Sequence, residues 1–161
     1  MSDRRSPNAA PRGYTLVELL VVLVVLAILA SAAFPLAEMK VQRDREQELK
    51  RALWEIRDAI DARKRAADAG LLASGSVSGY PVDLVELVDG LPSAKDASKT
   101  IRFLRRIPRD PFAPEGARPE RSWGLRSYQS PADRPREGED VYDVYSLSDR
   151  VGLNGVPLKD W

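Results

Sequence analysis

The chain has 161 residues, with 25 Lys+Arg against 24 Asp+Glu, so it has room for one modest domain and no overall basic excess that would argue for bulk nucleic-acid binding. It contains neither cysteine nor histidine, which excludes disulfides, thiolate metal sites, Ser-His-Asp and Cys-His nucleophile systems, and His-ligated zinc or haem. No enzymatic activity is expected, and any partner must be sought in local patterns.

The first pattern is an apolar run. From Leu19 to Ala37 the only polar side chain is Ser31, and a helix of that length rises roughly 28 Å, about one hydrocarbon thickness. The stretch before it carries Arg4, Arg5 and Arg12 against Asp3, an excess that would hold the amino end in the cytoplasm and put the bulk of the chain on the other side. Glu18 stands near the start of the run. A carboxylate there is costly without a partner, unless it snorkels to the headgroups.

At Gly13, then Tyr14, then "TLVE" with Glu18 five residues beyond the glycine, the chain resembles the type IV pilin and type II secretion pseudopilin family. The resemblance implies a prepilin leader, residues 1–13, cut after Gly13 by a prepilin peptidase on the cytoplasmic side, and methylation of the new amino terminus at Tyr14. Phenylalanine is the commonest residue after the cut in that family, so tyrosine is a mild departure. It further implies that Glu18 meets the Tyr14 amine of a neighbouring subunit as a filament grows. Such a pair serves register better than stability, because leaving either charge alone is costly. Pro35 falls where the family often carries a proline, and a proline within a helix favours a kink; the other reading is that Pro35 marks the end of the span. Glu18 and Pro35 are therefore the expected assembly residues.

The next stretch, Glu38 to Asp68, holds nine basic and eight acidic residues, a solvated face rather than a polybasic lipid anchor. Leu49, Leu53, Ile56 and Ile60 recur at helical spacing with Ala52 and Ala59 beside them, so one face seeks a core. Gly70 is a helix stop. Tyr14 to Ala69 reads as one nearly continuous helix, roughly 84 Å long. Its transmembrane half is 14–37 and its amphipathic half 38–70, with a globular domain over 71–161. A signal anchor followed by an unrelated helical domain is the plainer alternative.

Within that domain "VDLVELVDG" forms a short helix ended by Pro92, and Ile101 to Ile107 makes one or two turns in an otherwise proline-rich stretch. Trp123–Gln129 and Asp140–Leu147 are the two strand candidates, rich in aromatic and branched residues. A small antiparallel sheet packed on the amphipathic half of the helix is expected, because neither layer buries its apolar face alone. The fold class is α+β, pilin-like. The order "GYPVDLVELVDG", "LRRIPRDPF", "DVYDVYSLSD" looks like that of the major pseudopilin of type II secretion, although prolines and aspartates also belong in turns for local reasons. In that subfamily the loop after the last strand binds calcium. Here it offers Asp149, Asn154 and Asp160, with Arg150 beside the first, and calcium wants six to eight oxygens. These three residues serve equally as turn formers, so no metal ligand or cofactor is assigned.

Charge is uneven. Lys99 to Arg136 holds ten basic and four acidic residues, and Glu137 to Asp149 five acidic and none basic. Opposed patches suit head-to-tail contacts between subunits, and they can also cancel within one subunit. The leading functional reading is an inner-membrane prepilin subunit of a periplasmic type II secretion pseudopilus, with its peptidase, other pseudopilins, copies of itself and an inner-membrane assembly platform as partners. The second is a type IV pilus or competence pilin, with Arg102, Arg105, Arg106 and Arg109 on nucleic-acid phosphates. Only Phe103 and Phe112 accompany those arginines, so nucleic acid is the weaker partner. The third is a monomeric anchored domain whose leader stays uncut.

Overall fold

A computed structural model describes residues 13–161, apart from the side chains of residues 32–35. Residues 1–12 of the expected leader and the Pro35 side chain lie outside the described part. The architecture is α+β: a long amino-terminal helix and two small antiparallel sheets. Helix α1 runs Leu16–Asp68, two residues short of the expected start and one short of the expected end. Gly70, at φ 63°, terminates it. The Gly70 N–H bonds the Ala67 carbonyl and the Leu71 N–H the Ala66 carbonyl, the paired closure that a left-handed residue allows.

The chain divides into two compact units, the first ending at Val41 and the second Gln42–Trp161. In the first, every large apolar side chain from Leu16 to Leu29 is 49–74% exposed. This part of α1 is long and apolar enough to cross a membrane. Its one hydroxyl is satisfied within the helix, since Ser31 Oγ donates to the Ile28 carbonyl at 2.8 Å.

In the second unit α1 is amphipathic, as the spacing predicts. Leu49, Leu53, Ile56 and Ile60 are buried, flanked by Ala52 and Ala59, and they join Leu84, Leu87, Leu104, Trp123, Val141, Val144 and Leu158 in one core. Each of those four large aliphatic side chains contributes about 1.5–3 kcal/mol by leaving water.

Helix α2, Leu84–Asp89, falls within the expected short helix; the Asp83 carboxylate caps it by accepting from the Glu86 N–H. Two strands not expected from the sequence follow. β1, Leu91–Pro92, pairs antiparallel with β2, Thr100–Ile101. Pro92 lies within this ladder, and its carbonyl accepts from the Ala73 N–H, so that the 71–73 segment also joins β1 through the Leu72–Ser93 bridge. The one or two turns expected over Ile101–Ile107 are absent. Instead the Phe103 and Leu104 N–H groups both donate to the Leu87 carbonyl, fastening the segment to α2.

The two expected strands form and pair. β3 is Trp123–Arg126 and β4 is Asp143–Ser146, antiparallel, with Gly124 opposite Tyr145. Both are shorter than the apolar patterns that announce them. Both stop at the same end of the ladder, beyond Arg126 and Asp143, where the Ser127 N–H turns away to the Arg136 carbonyl and the Val141 N–H goes to the Pro81 carbonyl. The Tyr145 ring lies over Gly124, where an added Cβ would come within 2.4 Å of ring carbons, so this cross-strand pair requires glycine.

Two arginines of α1 fasten the rest of the unit. Arg63 is fully buried; its Nε donates to Glu86 Oε1 at 2.7 Å and its Nη1 to the Gly79 carbonyl at 2.6 Å. Arg57 donates through Nε to Asp143 at 2.7 Å and through Nη2 to the Val144 and Trp161 carbonyls.

A buried ion pair adds little net stability, but breaking one leaves a charge stranded. Glu86→Ala is expected to lower the stability of the second unit by about 3–5 kcal/mol, whereas Asp68→Ala, which opens the exposed pair with Lys64, changes it by less than about 1 kcal/mol. Urea unfolding of the full chain in detergent, followed by near-ultraviolet circular dichroism, measures both.

Candidate functional site

Gly13, Tyr14 and Thr15 precede α1 in non-helical conformation, and all three are exposed. The peptide between Gly13 and Tyr14 is therefore in irregular, accessible backbone, the state in which a peptidase can take hold of a chain. Thr15 Oγ1 accepts a hydrogen bond from the Glu18 N–H at 3.2 Å. Thr15 is thus the amino-terminal cap of α1, with Leu16 in its first position and Glu18 in its third. Sequence reasoning missed this role, although Thr-x-x-Glu ahead of an apolar run is a recognisable start signature.

The cap explains part of what Glu18 does. Its backbone amide is one of the orphan donors of the first turn, and its carboxylate lies at the positive end of the helix dipole, where negative charge is favoured. Glu18 is the acidic residue of that first turn.

The other residues singled out from the sequence lie in the second unit. Arg102, Arg105, Arg106 and Arg109 are exposed. Arg109 is spent on its own loop, donating to the Ala113 and Pro114 carbonyls, while Arg102, Arg105 and Arg106 make no ion pair among the described residues. The aspartate of "IPRDPF" is structural: Asp110 is buried, accepts from Ser146 Oγ at 2.6 Å and the Phe112 N–H at 2.7 Å, and ties its loop to β4.

The opposed charge runs meet in part inside the unit. Asp143 accepts from both Arg126, at 3.0 Å, and Arg57. Asp140 is buried and accepts from the Tyr128 N–H at 2.9 Å. Burial would raise its pKa, but hydrogen bonds from Ser78, the Tyr128 amide and Ser127 together outweigh it and hold the carboxyl below its ordinary value. Glu137, Glu139 and Asp149 remain exposed.

Asn154 and Asp160 both take part in local turns of the last loop. Asn154 Oδ1 accepts from the Val156 N–H at 3.1 Å, and Asp160 closes a 3-10 turn through its own N–H to the Pro157 carbonyl. No group of three or more acidic side chains suited to a metal ion occurs among the described residues. The loop is held to α1 by a carboxylate that sequence reasoning passed over: Glu46 Oε1 accepts from the Leu153 N–H at 2.8 Å and from Gln42 Nε2 at 3.0 Å.

An open groove beside β3 is lined by Ser127, Tyr128, Ser130, Arg136, Glu139 and Asp140. Tyr128 stacks on Tyr80 at 5.5 Å, and both meet Tyr142 edge-on. Desolvation, then the neighbouring Tyr142, raises the Tyr80 pKa.

With this geometry in place, the comparison with protein families is informative. Residues 9–34 match the prokaryotic N-terminal methylation motif. The match spans Gly13, Tyr14, Thr15 and Glu18 and ends one residue before Pro35. It supports the type IV pilin superfamily and indicates a prepilin-type subunit of a pilus or pseudopilus, processed by a prepilin peptidase and polymerising with pilin subunits. A motif of this kind followed by an exposed apolar helix fits a membrane-anchored protein. No curated protein and no solved structure matches the chain.

Replacing a threonine cap by alanine costs about 0.5–2 kcal/mol of helix stability. Thr15→Ala is expected to fray the first turn, raising amide hydrogen exchange at residues 17–19 in detergent micelles and leaving the amides beyond residue 24 unchanged.

Proposed function

We propose that this chain is a structural prepilin of a type II protein secretion system, cut after Gly13, methylated at Tyr14 and polymerised into a periplasmic pseudopilus. The observation that carries the reading is the Gly13–Tyr14 junction in accessible backbone, inside the matched motif and directly ahead of a capped apolar helix with no protein cover. The apolar half of α1 would anchor the subunit in the inner membrane with its amino end cytoplasmic, and would later pack among the same helices of other subunits. Glu18 would pair with the Tyr14 amine of the neighbouring copy and set its register, and Pro35 would let the helix adjust as subunits pack. The order of loops in the second unit, "GYP", "PRDPF" and the tyrosine-rich last strand, favours secretion over a surface pilus.

A second reading has an observation of its own. Arg102, Arg105 and Arg106 are exposed without ion-pair partners among the described residues, an arrangement open to phosphates in a competence pilin. A binding constant for DNA that falls steeply with salt and is lost on replacing these three residues would favour it.

The intact mass of the protein from host membranes, with and without the prepilin peptidase, tests the leading reading. The expected result is loss of residues 1–13 and gain of one methyl group only when the peptidase is present. A leader retained in both strains would leave Glu18 without its amine and overturn the filament mechanism.

A further inference from the structure

Within the second unit the outer face of α1 carries one large side chain out of keeping with its charged surroundings. Trp54 is 76% exposed, whereas Trp123 is 3% exposed and Trp161 packs against the core. Nine residues make about two and a half helical turns, so Trp54 stands on the opposite side of α1 from the fully buried Arg63. The indole therefore gives nothing to the core of its own unit. Lys50 and Arg51 precede it and Asp58 and Asp61 follow it, all exposed and all within about 60° of it around the helix. Tryptophan and arginine dominate the centres of protein interfaces, where an aromatic anchor loses its water and charges at the rim fix the register.

The order of charges identifies what covers this face. Arg65 reaches Asp58 only at 3.9 Å, with both side chains exposed, and Lys50 lies over the Trp161 ring at 4.5 Å. Lys50, Arg51 and Asp61 have no ion pair among the described residues. Basic before and acidic after Trp54, the face is complementary to itself under one condition. Two parallel copies in register would set each charge against its own counterpart, which is repulsive. Displaced along the helix by two to three turns, roughly 10–17 Å, the basic stretch of one copy meets the acidic stretch of the next. The same displacement brings arginines beside the indole, where a cation–π contact adds to the burial. A displacement repeated from copy to copy builds an open filament rather than a closed dimer, the kind of assembly that a prepilin-type subunit enters.

We propose that the Trp54 face of α1 is a contact between copies of this chain, with Trp54 as its anchor and Lys50, Arg51, Asp58 and Asp61 setting the displacement. The inference rests on the reading above only in that the chain polymerises, and it holds equally for a pseudopilus and a pilus. It concerns the second unit alone and is separate from the pairing of Glu18 with the Tyr14 amine.

The test uses the full chain, overproduced in its host with the prepilin peptidase present. Trp54→Ala is compared with the unaltered chain for leader cleavage by intact mass, for urea unfolding in detergent, and for the yield of sheared filaments. The expected result is unchanged cleavage and unfolding midpoint with a filament yield at least tenfold lower. A normal yield overturns the inference, and so does a lowered midpoint, which would mean that the indole packs within its own unit. Asp58→Lys with Asp61→Lys is expected to abolish filaments, and adding Lys50→Asp with Arg51→Asp to the same chain is expected to restore them. Loss without restoration means that these charges do not meet across copies and overturns the displacement. An unaltered chain that keeps its leader and yields no filament overturns the polymerising reading itself; cleaved filaments indifferent to all these variants overturn the contact alone.

Discussion

A single buried guanidinium sets the terms for the globular unit. Arg63 lies on the same helix face as Ile56 and Ile60, wholly removed from water, and a charge there is tolerable only with its hydrogen bonds met. The buried Nη2 has no partner among the described residues, while Glu86 meets the bond at Nε and the Gly79 carbonyl one at Nη1. To do so, α2 must sit where Glu86 can reach the helix, and the chain between Gly70 and Pro81 must fold back over it. Gly75 lies so near that an added Cβ would come within 2.7 Å of Arg63 Nη2. Glu86 also accepts from the Val82 N–H and helps open the helix it belongs to. The position of α2 then fixes Phe103 and Leu104 through the Leu87 carbonyl.

Along α1 the same backbone serves two solvents. Through Leu29 the exposed surface is aliphatic, and from Gln42 onward it carries mixed charge, with the apolar stripe turned into a protein core. Intrinsic propensity does not make this division; the identity of the side chains around the helix does. At the amino end Thr15 and Glu18 close the first turn, so the boundary between irregular backbone and helix is set by two residues within the matched motif.

Much of this was legible in the residues. The 3.6-residue spacing of Leu49, Leu53, Ile56 and Ile60 announced the core face, Gly70 the helix end, and the aromatic-rich segments around Trp123 and Val144 the principal strand pair. The strands β1 and β2 were not legible because two residues carry no period, and Pro92 reads locally as a breaker. The expected turns over Ile101–Ile107 failed to form because Phe103 and Leu104 find a tertiary acceptor in Leu87. At the amino-terminal site the glycine, the aromatic and the glutamate were readable through their resemblance to the prepilin junction, and the threonine cap was readable but overlooked. The roles of Arg57, Arg63 and Glu46 were not: each sits in a charged stretch like its neighbours, and only the fold shows which charges turn inward.

The contacts of Arg57 bear on the order in which the protein is made. Its three acceptors, Asp143, Val144 and Trp161, lie 86, 87 and 104 residues further along the chain. During synthesis the helix is complete long before any of them has emerged, and loop closure over such separations is slow. Until Asp143 and Val144 arrive, Arg57 lacks its acceptors on β4, and its third bond waits for Trp161. The globular unit is therefore slower to close than the helix, and a chain interrupted before these residues are made would hold a complete helix without the fastening of β4 to it.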